Sequence, residues 1–341
     1  MPNTTSIRAG RAFVELFADD SKLVRGLRQA EKKLKAFGGK LQSIGQSMLR
    51  MGTALALPQA ASVKVFAGFD DRMRAVQAVI GATGDEFDRL NEKAKLLGRT
   101  TSFTAAQVAS AMLELGRAGF SSDEIDDAIT DVLSLARATG TELAEAANIA
   151  SNTLRAFNLN AADAARVADV LTATANTSAQ TLADLGEAMK YAAPVADEFG
   201  LSLEETSKVL GALANYGIKG SMAGTTIKQI MTQLADPNIR KTMGGLGVAV
   251  TDAAGNFRGL SEILRDLGGA IQTMPQADRL ALFDRLFGKR AIAGGAKLTA
   301  ASFDRLNDAI DNAAGAAGRT AKVMDSGIGG ALRRLWSAVE G

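Results

Sequence analysis

The chain has 341 residues and a formal net charge of +2, and it contains no cysteine and no histidine. These absences exclude disulfides, thiolate nucleophiles, Ser-His-Asp triads and almost every zinc site, so only carboxylate chemistry remains as a route to catalysis. Aromatic residues make up 5% of the chain and proline is rare, a balance that favours closely packed helices over sheets. Composition therefore predicts an all-α protein, with room for about two domains of roughly 150 residues each.

The small net charge hides a segregation of charge along the chain. Basic residues outnumber acidic ones by 18 to 11 in residues 1–120 and by 17 to 11 in residues 206–341. In residues 121–205, acidic residues outnumber basic ones by 15 to 4. Because phosphate binding requires clusters of lysine and arginine, the acidic middle argues against a nucleic-acid site there. A solvated surface and a charged docking face are the alternatives for this segment.

The first segment, residues 1–21, carries weak signals. Residues 1–10 lack the apolar core of a signal peptide, which predicts a cytoplasmic start. The run RAFVELFA, from Arg11, alternates weakly before a turn at Asp19 and Asp20. This pattern fits a short strand as well as the beginning of a helix.

A heptad pattern dominates residues 22–65. Apolar residues recur at spacings of four and three over more than four heptads, which is typical of a left-handed coiled coil or an antiparallel helical hairpin. Gly38, Gly39, Gly45 and Gly52 would each cost roughly 1 kcal/mol in a helix interior, so the formation of a coiled coil depends on a partner. The stretch from Lys22 to Arg50 holds eight basic residues and only Glu31 as an acid, which suits an anionic partner or an acidic segment of the same chain. Packing within the chain and self-association as a homo-oligomer both remain open. The heptad residues are Leu23, Leu27, Ala30, Leu34, Phe37, Leu41, Ile44, Met48, Met51 and Leu55.

The central segment, residues 66–237, contains a series of helix start signals separated by short breaks. Each candidate N-cap is Ser, Thr or Asn, and five of the six have an acid or amide three positions later, as in a capping box. Apolar residues such as Val108, Met112 and Leu115 recur between the caps at helical spacing, so each helix has one apolar face that needs a neighbour. The candidate caps are Thr104, Ser121, Thr139, Asn160, Ser178 and Ser202.

These caps also carry a longer pattern. The run GFSSDEI from Gly119, with a later glycine at Gly140, is echoed by GLSLEET from Gly200, with a later glycine at Gly220. An internal duplication explains the echo. Because the offset is near eighty residues, the repeating unit is predicted to be a group of helices, and two similar lobes are favoured over a long solenoid.

Several runs in this segment resemble the core region of phage tail tape-measure proteins. They are RTTSFTAAQVA from Arg99, GFSSDEI from Gly119, ATGTELAEAA from Ala138, TLRAF from Thr153, LGEAMKYAAPVA from Leu185, LEET from Leu203 and NYGIKGSMAGT from Asn215. The resemblance is ordered along the chain and covers residues 66–237. It implies a role in phage tail assembly.

The chain changes character after Pro237. Two short apolar runs joined around Gly255 and Asn256 predict a small β-hairpin, so residues 238–259 are expected to form a hairpin linker. Residues 260–341 are expected to be helical, with helices at 260–272, 276–287 and 300–312. Members of the family that the chain resembles continue into long helices, so this C-terminal region is expected to be truncated.

No catalytic, cofactor-binding or metal-binding residue is assigned. The run GGLGVAV from Gly244 lacks the third glycine of a dinucleotide loop, and Arg290 follows Lys289 where a Walker A motif needs Ser or Thr. Paired acids such as Asp123 with Asp127 fall at predicted helix starts, where the helix dipole favours them. The sequence therefore predicts no enzyme activity and no cofactor.

The run GIKGSMAGT, from Gly217, has two interpretations. Backbone amides before a helix can bind an anion, with Lys219 beside them. Alternatively, Gly220 and Gly224 permit close packing at a corner between helices. No window of the chain reaches the roughly 18 to 20 apolar residues that a membrane span requires, so no transmembrane span is predicted.

The resemblance implies a structural protein of a phage tail, or of a prophage tail-like particle, that acts as tape measure or scaffold while the tail tube assembles and its length is set. The implied partners are the tail tube protein, tail assembly chaperones and tail tip or baseplate proteins. The implied location is the host cytoplasm during assembly and then the tail lumen of the virion. The alternatives are a helical adaptor that binds partner helices and, third, a tail-associated peptidoglycan hydrolase.

Overall fold

The computed structural model describes residues 56–289 and 300–340. These residues form fifteen α-helices and two short 3₁₀ turns, and no strand occurs among them, which confirms the all-α prediction. The chain divides into two compact units, residues 1–63 and 64–341, and the helix packing described below belongs to the second. The possible strand in residues 1–21 and the heptad pattern as far as Leu55 lie outside the described residues.

From α1 to α10 the helices are joined by short connections, which place consecutive helices side by side. Their bounds are α1 (Ala56–Ile80), α2 (Gly84–Thr100), α3 (Ala105–Arg117), α4 (Ser122–Thr139), α5 (Leu143–Ala156), α6 (Ala164–Thr177), α7 (Leu182–Glu198), α8 (Leu203–Asn215), α9 (Gly220–Ala235), α10 (Pro237–Gly245), α11 (Leu260–Ala270), α12 (Gln276–Phe287), α13 (Ala300–Asp311), α14 (Ala316–Asp325) and α15 (Ile328–Glu340). The 3₁₀ turns are Ala161–Asp163 and Ile271–Thr273.

Eight of these helices, α2 to α9, form a stack of four helix pairs. The first helices of successive pairs contact one another, so α2, α4, α6 and α8 make one layer. The second helices, α3, α5, α7 and α9, contact one another in the same way and make the other layer. Each pair therefore packs mainly against the pairs on either side, as in solenoid proteins.

A recurring junction opens each of the four pairs. A residue with left-handed backbone conformation ends the preceding helix, and an apolar residue, an N-cap and an acid three positions beyond the cap follow it. The amide of the apolar residue donates to a carbonyl five residues earlier, at 2.8 to 3.2 Å, as in a Schellman motif. The junctions are Gly81-Ala82-Thr83 with Glu86, Gly119-Phe120-Ser121 with Glu124, Asn158-Leu159-Asn160 with Asp163, and Gly200-Leu201-Ser202 with Glu205.

The repeating unit is one helix pair and not a lobe of several helices. The left-handed residues stand at positions 81, 119, 158 and 200, so the period is about forty residues and the echo between Gly119 and Gly200 spans two periods. The prediction of two lobes is therefore not supported. The intermediate copy was missed because Asn158 replaces the glycine. The later glycines are not equivalent either, since Gly140 ends α4 whereas Gly220 begins α9.

Three of the six predicted caps begin α-helices, Asn160 stands before the 3₁₀ turn Ala161–Asp163, and the other two predictions are wrong. Thr104, Ser121 and Ser202 each accept a hydrogen bond from the backbone amide three residues later, as an N-cap does. Thr139 instead lies in the last turn of α4, and Ser178 ends α6. The caps that follow them are Glu142 and Thr181, because each stands directly before the first helical residue.

Glycines bring helices of the second layer into close contact. A Cβ atom on Gly224 of α9 would lie 2.2 Å from the carbonyl oxygen of Ala188 in α7. A Cβ atom on Gly186 of α7 would lie 2.7 Å from the side chain of Ile149 in α5. Helices α7 and α9 thus pack nearly backbone to backbone, whereas the Ile149 side chain separates α5 from α7. Buried residues from Phe69 to Ala317 join a single hydrophobic cluster.

The prediction of a β-hairpin at residues 238–259 is wrong. Most of its first half forms α10, and the rest contains one isolated antiparallel bridge, between Thr251 and Phe257. The carboxylate of Asp252 accepts hydrogen bonds of 2.9 Å from the amides of Ala254 and Asn256 and closes the loop locally. So tight a loop supplies the turn that was predicted but leaves too few residues for a ladder.

The last three helices run back over the stack, and α13 to α15 are here called the return segment. Helix α13 contacts α8 and α6, α14 contacts α6 and α4, and α15 contacts α2. The return segment thus crosses the first layer in the reverse of chain order. Helix α11 also packs on α8, while α12 packs on α9 in the other layer.

Candidate functional site

The acids at the first two junctions form structural contacts between neighbouring helix pairs. Glu86 accepts a hydrogen bond of 2.7 Å from the amide of Thr83 and one of 3.1 Å from the hydroxyl of Ser122 in the next pair. Hydrogen bonds from Thr83 are the main reason that the pKa of Glu86 is lowered. Arg89 forms an ion pair with Asp123 across the same interface. Asp123 is therefore paired with a basic residue of α2 and does not form a carboxylate pair with Asp127.

The fourth junction repeats this arrangement. Arg166 of α6 donates two hydrogen bonds of 2.7 Å to the carboxylate of Glu204 in α8. Burial is the largest single influence and raises the pKa of Glu204, but the hydrogen bonds and charge of Arg166 together with the capping hydrogen bonds outweigh it, so this pKa is lowered overall. Glu205 accepts hydrogen bonds from Lys208 at 3.2 Å and from the hydroxyl of Ser261 at 2.8 Å. These acids tie helices together, and the arrangement offers no acid and base pair for catalysis.

The run from Gly217 to Thr225 forms the corner between α8 and α9. Gly224 lies against the backbone of Ala188, which supports the interpretation as a close packing corner. Lys219 is the residue before α9 and makes no capping hydrogen bond through its side chain. The structure supplies no observation that assigns an anion to this corner.

Two segments singled out in the sequence meet at one cleft beside this corner. Ser221 and Thr225 of α9 and the Gly288-Lys289 turn after α12 line a cleft of about 500 Å³. The side-chain amide of Gln229 donates to the carbonyl oxygen of Arg285 at 3.2 Å and ties α9 to α12. The cleft is thus a seam between two packed helices with polar residues at its mouth.

The final helix, α15, has an apolar face that is open to solvent. Ile328, Leu332, Leu335 and Trp336 lie at helical spacing and are between 55% and 81% exposed. Arg333 and Arg334 stand between them in the sequence. Scattered exposed apolar residues are common, but a contiguous stripe marks a surface that can bind a partner. Sequence analysis missed this face because it depends on which side of α15 the stack covers.

Neither a metal centre nor a membrane segment emerges from residues 56–289 and 300–340. No group of three or more acidic residues in these ranges could hold a metal ion. No helix in the same ranges is long and apolar enough to cross a lipid bilayer.

The family model for the phage-related minor tail proteins matches residues 91–288. This range covers most of the stack and continues through α12. It accounts for more than half of the chain.

Two phage proteins are similar over nearly the whole chain. The tape measure protein of Pneumococcus phage Dp-1 is 38% identical over 325 residues, which cover 92% of this chain and 28% of that protein. The probable tape measure protein of Escherichia phage P2 is 30% identical over 341 residues, which cover 96% of this chain and 42% of that protein. The chain thus spans less than half the length of either relative. No solved structure gives a significant match.

Proposed function

Because the chain belongs to the family of phage-related minor tail proteins, we propose that it is a tape-measure protein, or the folded part of one, that serves as a structural scaffold for the tail tube. The alignment with the Dp-1 tape measure protein over 92% of this chain is the observation that carries the proposal. The alignment with the P2 protein supports it. The role is structural, and no catalytic step is part of it.

The proposed mechanism is geometric. A helix rises about 1.5 Å per residue, so a segment held as one extended helix converts residue number into length. The stack α2 to α9 cannot act in this way, since its helices fold back on one another and bury their apolar faces together. We therefore assign length measurement to extended segments such as the heptad segment at 22–65 and assembly contacts to the stack.

The proposed partners follow from this role. The tail tube protein would polymerise around the extended parts, with tail assembly chaperones and tail tip or baseplate proteins bound at the ends. The heptad segment is proposed to join copies of the chain as a homo-oligomer, since its apolar spacing suits a coiled coil. Assembly in the host cytoplasm would be followed by residence in the tail lumen of the virion.

Deletion of residues 23–50 tests this division of labour. The deletion removes 28 residues, four whole heptads, and preserves the phase of the pattern. In a phage that uses this chain as its tape measure, tails should shorten by about 42 Å at 1.5 Å per residue. Tail length is measured by electron microscopy of purified particles.

A deletion of equal length inside the stack is the control. Removing residues 182–209 takes out α7 and half of α8, which leaves apolar faces uncovered, so tails should not assemble. Tails of unchanged length after the heptad deletion would show that this segment anchors or oligomerises the protein and does not measure.

A helical adaptor remains the second candidate function. The observation that favours it is the exposed apolar stripe from Ile328 to Trp336 on α15. An adaptor would bind a partner helix along this stripe and would leave tail length unchanged in both deletions.

A further inference from the structure

The return segment is attached unevenly along its length. Helix α13 is anchored by Phe303, Leu306 and Ile310, which are at most 2% exposed. Leu306 also fills the space beside Gly211 of α8, where a Cβ atom would lie 2.7 Å from it. In α14 the only buried side chain is Ala317. Among the described side chains of the return segment, the large buried apolar ones therefore belong to α13, and α14 adds only the small side chain of Ala317 to the core.

Hydrogen bonds and an ion pair add to the small apolar contact that Ala317 gives α14 with the stack. The carboxylate of Asp169 in α6 accepts hydrogen bonds from the amides of Gly315 and Ala317, at 2.6 and 2.9 Å. Arg137 of α4 donates to the carboxylate of Asp325 at 2.5 Å and to the carbonyl oxygen of Met324 at 2.6 Å. These bonds join residues that are 146 to 188 positions apart in sequence.

The end of α15 is fixed to the beginning of the stack in the same manner. The hydroxyl of Ser337 contacts the carbonyl oxygens of Gly98 in α2 and Phe103 in the loop after it. Ser337 is buried, whereas Ile328, Leu332 and Leu335 on the same helix are more than half exposed. Among the described side chains of α15, that of Ser337 is the one that is buried against α2.

The side chains that hold α14 are groups that water can solvate. Arg137, Asp169 and Asn176, which lies 3.5 Å from the hydroxyl of Thr320, are charged or polar. Burial and the nearby charge of Asp169 both raise the pKa of Asp131 on α4, so this region already contains poorly solvated acids. Departure of α14 would return these groups to water, and Ala317 is the one buried side chain of α14 that would be exposed with them.

We propose that α14 and α15 form a releasable clasp that fastens the first helix pair of the stack to the last and opens without unfolding the stack. The clasp pivots on the turn between α13 and α14, where Gly315 has a left-handed backbone (φ 75°). Helix α13 stays on α8 as the fixed end. While closed, the clasp supplies contacts between distant pairs, which nearest-neighbour packing in a stack does not provide.

Hydrogen exchange followed by mass spectrometry on the full chain tests the clasp. Amides of residues 316–340 should exchange roughly 100-fold faster than those of α4 and α6, because local opening exposes them without global unfolding. Arg137→Gln should accelerate exchange in 316–340 about tenfold more and leave α4, α6 and α8 unchanged. Asp169→Ala, which removes the acceptor at the start of α14, should act in the same direction.

Arg166→Gln is the matched control. It breaks an ion pair of similar geometry, that between Arg166 and Glu204, but this pair lies within the stack. Exchange in residues 316–340 should therefore not respond to it. Raising the salt concentration should accelerate exchange of the wild-type clasp, since partly exposed ion pairs are screened.

Three outcomes would overturn the proposal. In the first, residues 316–340 exchange at the same rate as α4 and α6 in the wild-type protein. In the second, Arg137→Gln accelerates amide exchange in the clasp and in the stack by the same factor, which would show that the two unfold as one cooperative unit. In the third, neither Arg137→Gln nor Asp169→Ala changes exchange in residues 316–340.

Discussion

At Gly224, helices α7 and α9 approach so closely that no side chain fits between them. The nearest atom to a Cβ at this position would be a backbone oxygen, that of Ala188, which cannot rotate out of the way. Gly186 faces a flexible side chain, that of Ile149, which has more freedom to adjust. Gly224 is therefore expected to tolerate substitution less well than Gly186, although both lie at contacts between helices of the second layer.

Gly224→Ala is expected to lower the free energy of unfolding by about 1–3 kcal/mol, the usual cost of overpacking. The measurement is denaturant unfolding followed by circular dichroism. Gly269→Ala in α11 is the control, since no atom lies within 4 Å of the added Cβ there. The free energy of unfolding of this control variant should rise by up to about 1 kcal/mol, because alanine has a higher helix propensity than glycine. Equal effects at the two positions would contradict the close contact.

At the scale of the element, Asn158 marks the least regular of the four junctions. Its φ of 50° is left-handed, and it is the one such residue other than glycine in the described chain. Asparagine tolerates this conformation better than most residues, but glycine adopts it without strain. The side chain is exposed, so backbone conformation dominates the effect of substitution.

Asn158→Gly should therefore raise the melting temperature slightly. Asn158→Ala should lower it, because the left-handed conformation costs alanine about 1–2 kcal/mol of folding free energy. Thermal unfolding of the two variants beside the wild type measures the difference. If alanine and glycine change the melting temperature equally, the left-handed conformation is not a determinant of the junction.

Local signals explain which elements could be predicted from the sequence. Helix α12 has the predicted bounds, 276–287, because Pro275 and Gly288 stand directly outside them. Thr104 and Ser121 were identified as caps because the capping hydrogen bonds span three residues. The layering of the pairs was not predicted, because it depends on contacts between residues about forty positions apart. The repeat was also hidden because the junction at Asn158 lacks a glycine. The contacts of Arg137 and Asp169 with the return segment span more than 140 residues and leave no local signal.

At the scale of the whole molecule, the core does not end with the stack. Helix α8 carries contacts on its outer side from α11 and α13, including Leu306 beside Gly211. A fragment that ends at residue 237 would therefore expose apolar surface on α8. A fragment that ends at residue 313 would retain this cover and lose only α14 and α15.

The fragment 66–313 is accordingly expected to be helical, monomeric and close to the full chain in melting temperature. The fragment 66–237 should also be helical but should melt at a lower temperature and associate through α8. Circular dichroism and sedimentation velocity on both fragments provide the comparison. Equal melting temperatures would show that α11 and α13 add little to the core.

The forty-residue period also makes the stack a store of contour length. Packed helices lie about 8–10 Å apart, so each folded pair adds roughly 10 Å along the stack. The same forty residues drawn out as a single helix would span about 60 Å. Unstacking one pair would therefore lengthen the chain about sixfold over that stretch, in a discrete step, and the four pairs provide four such steps.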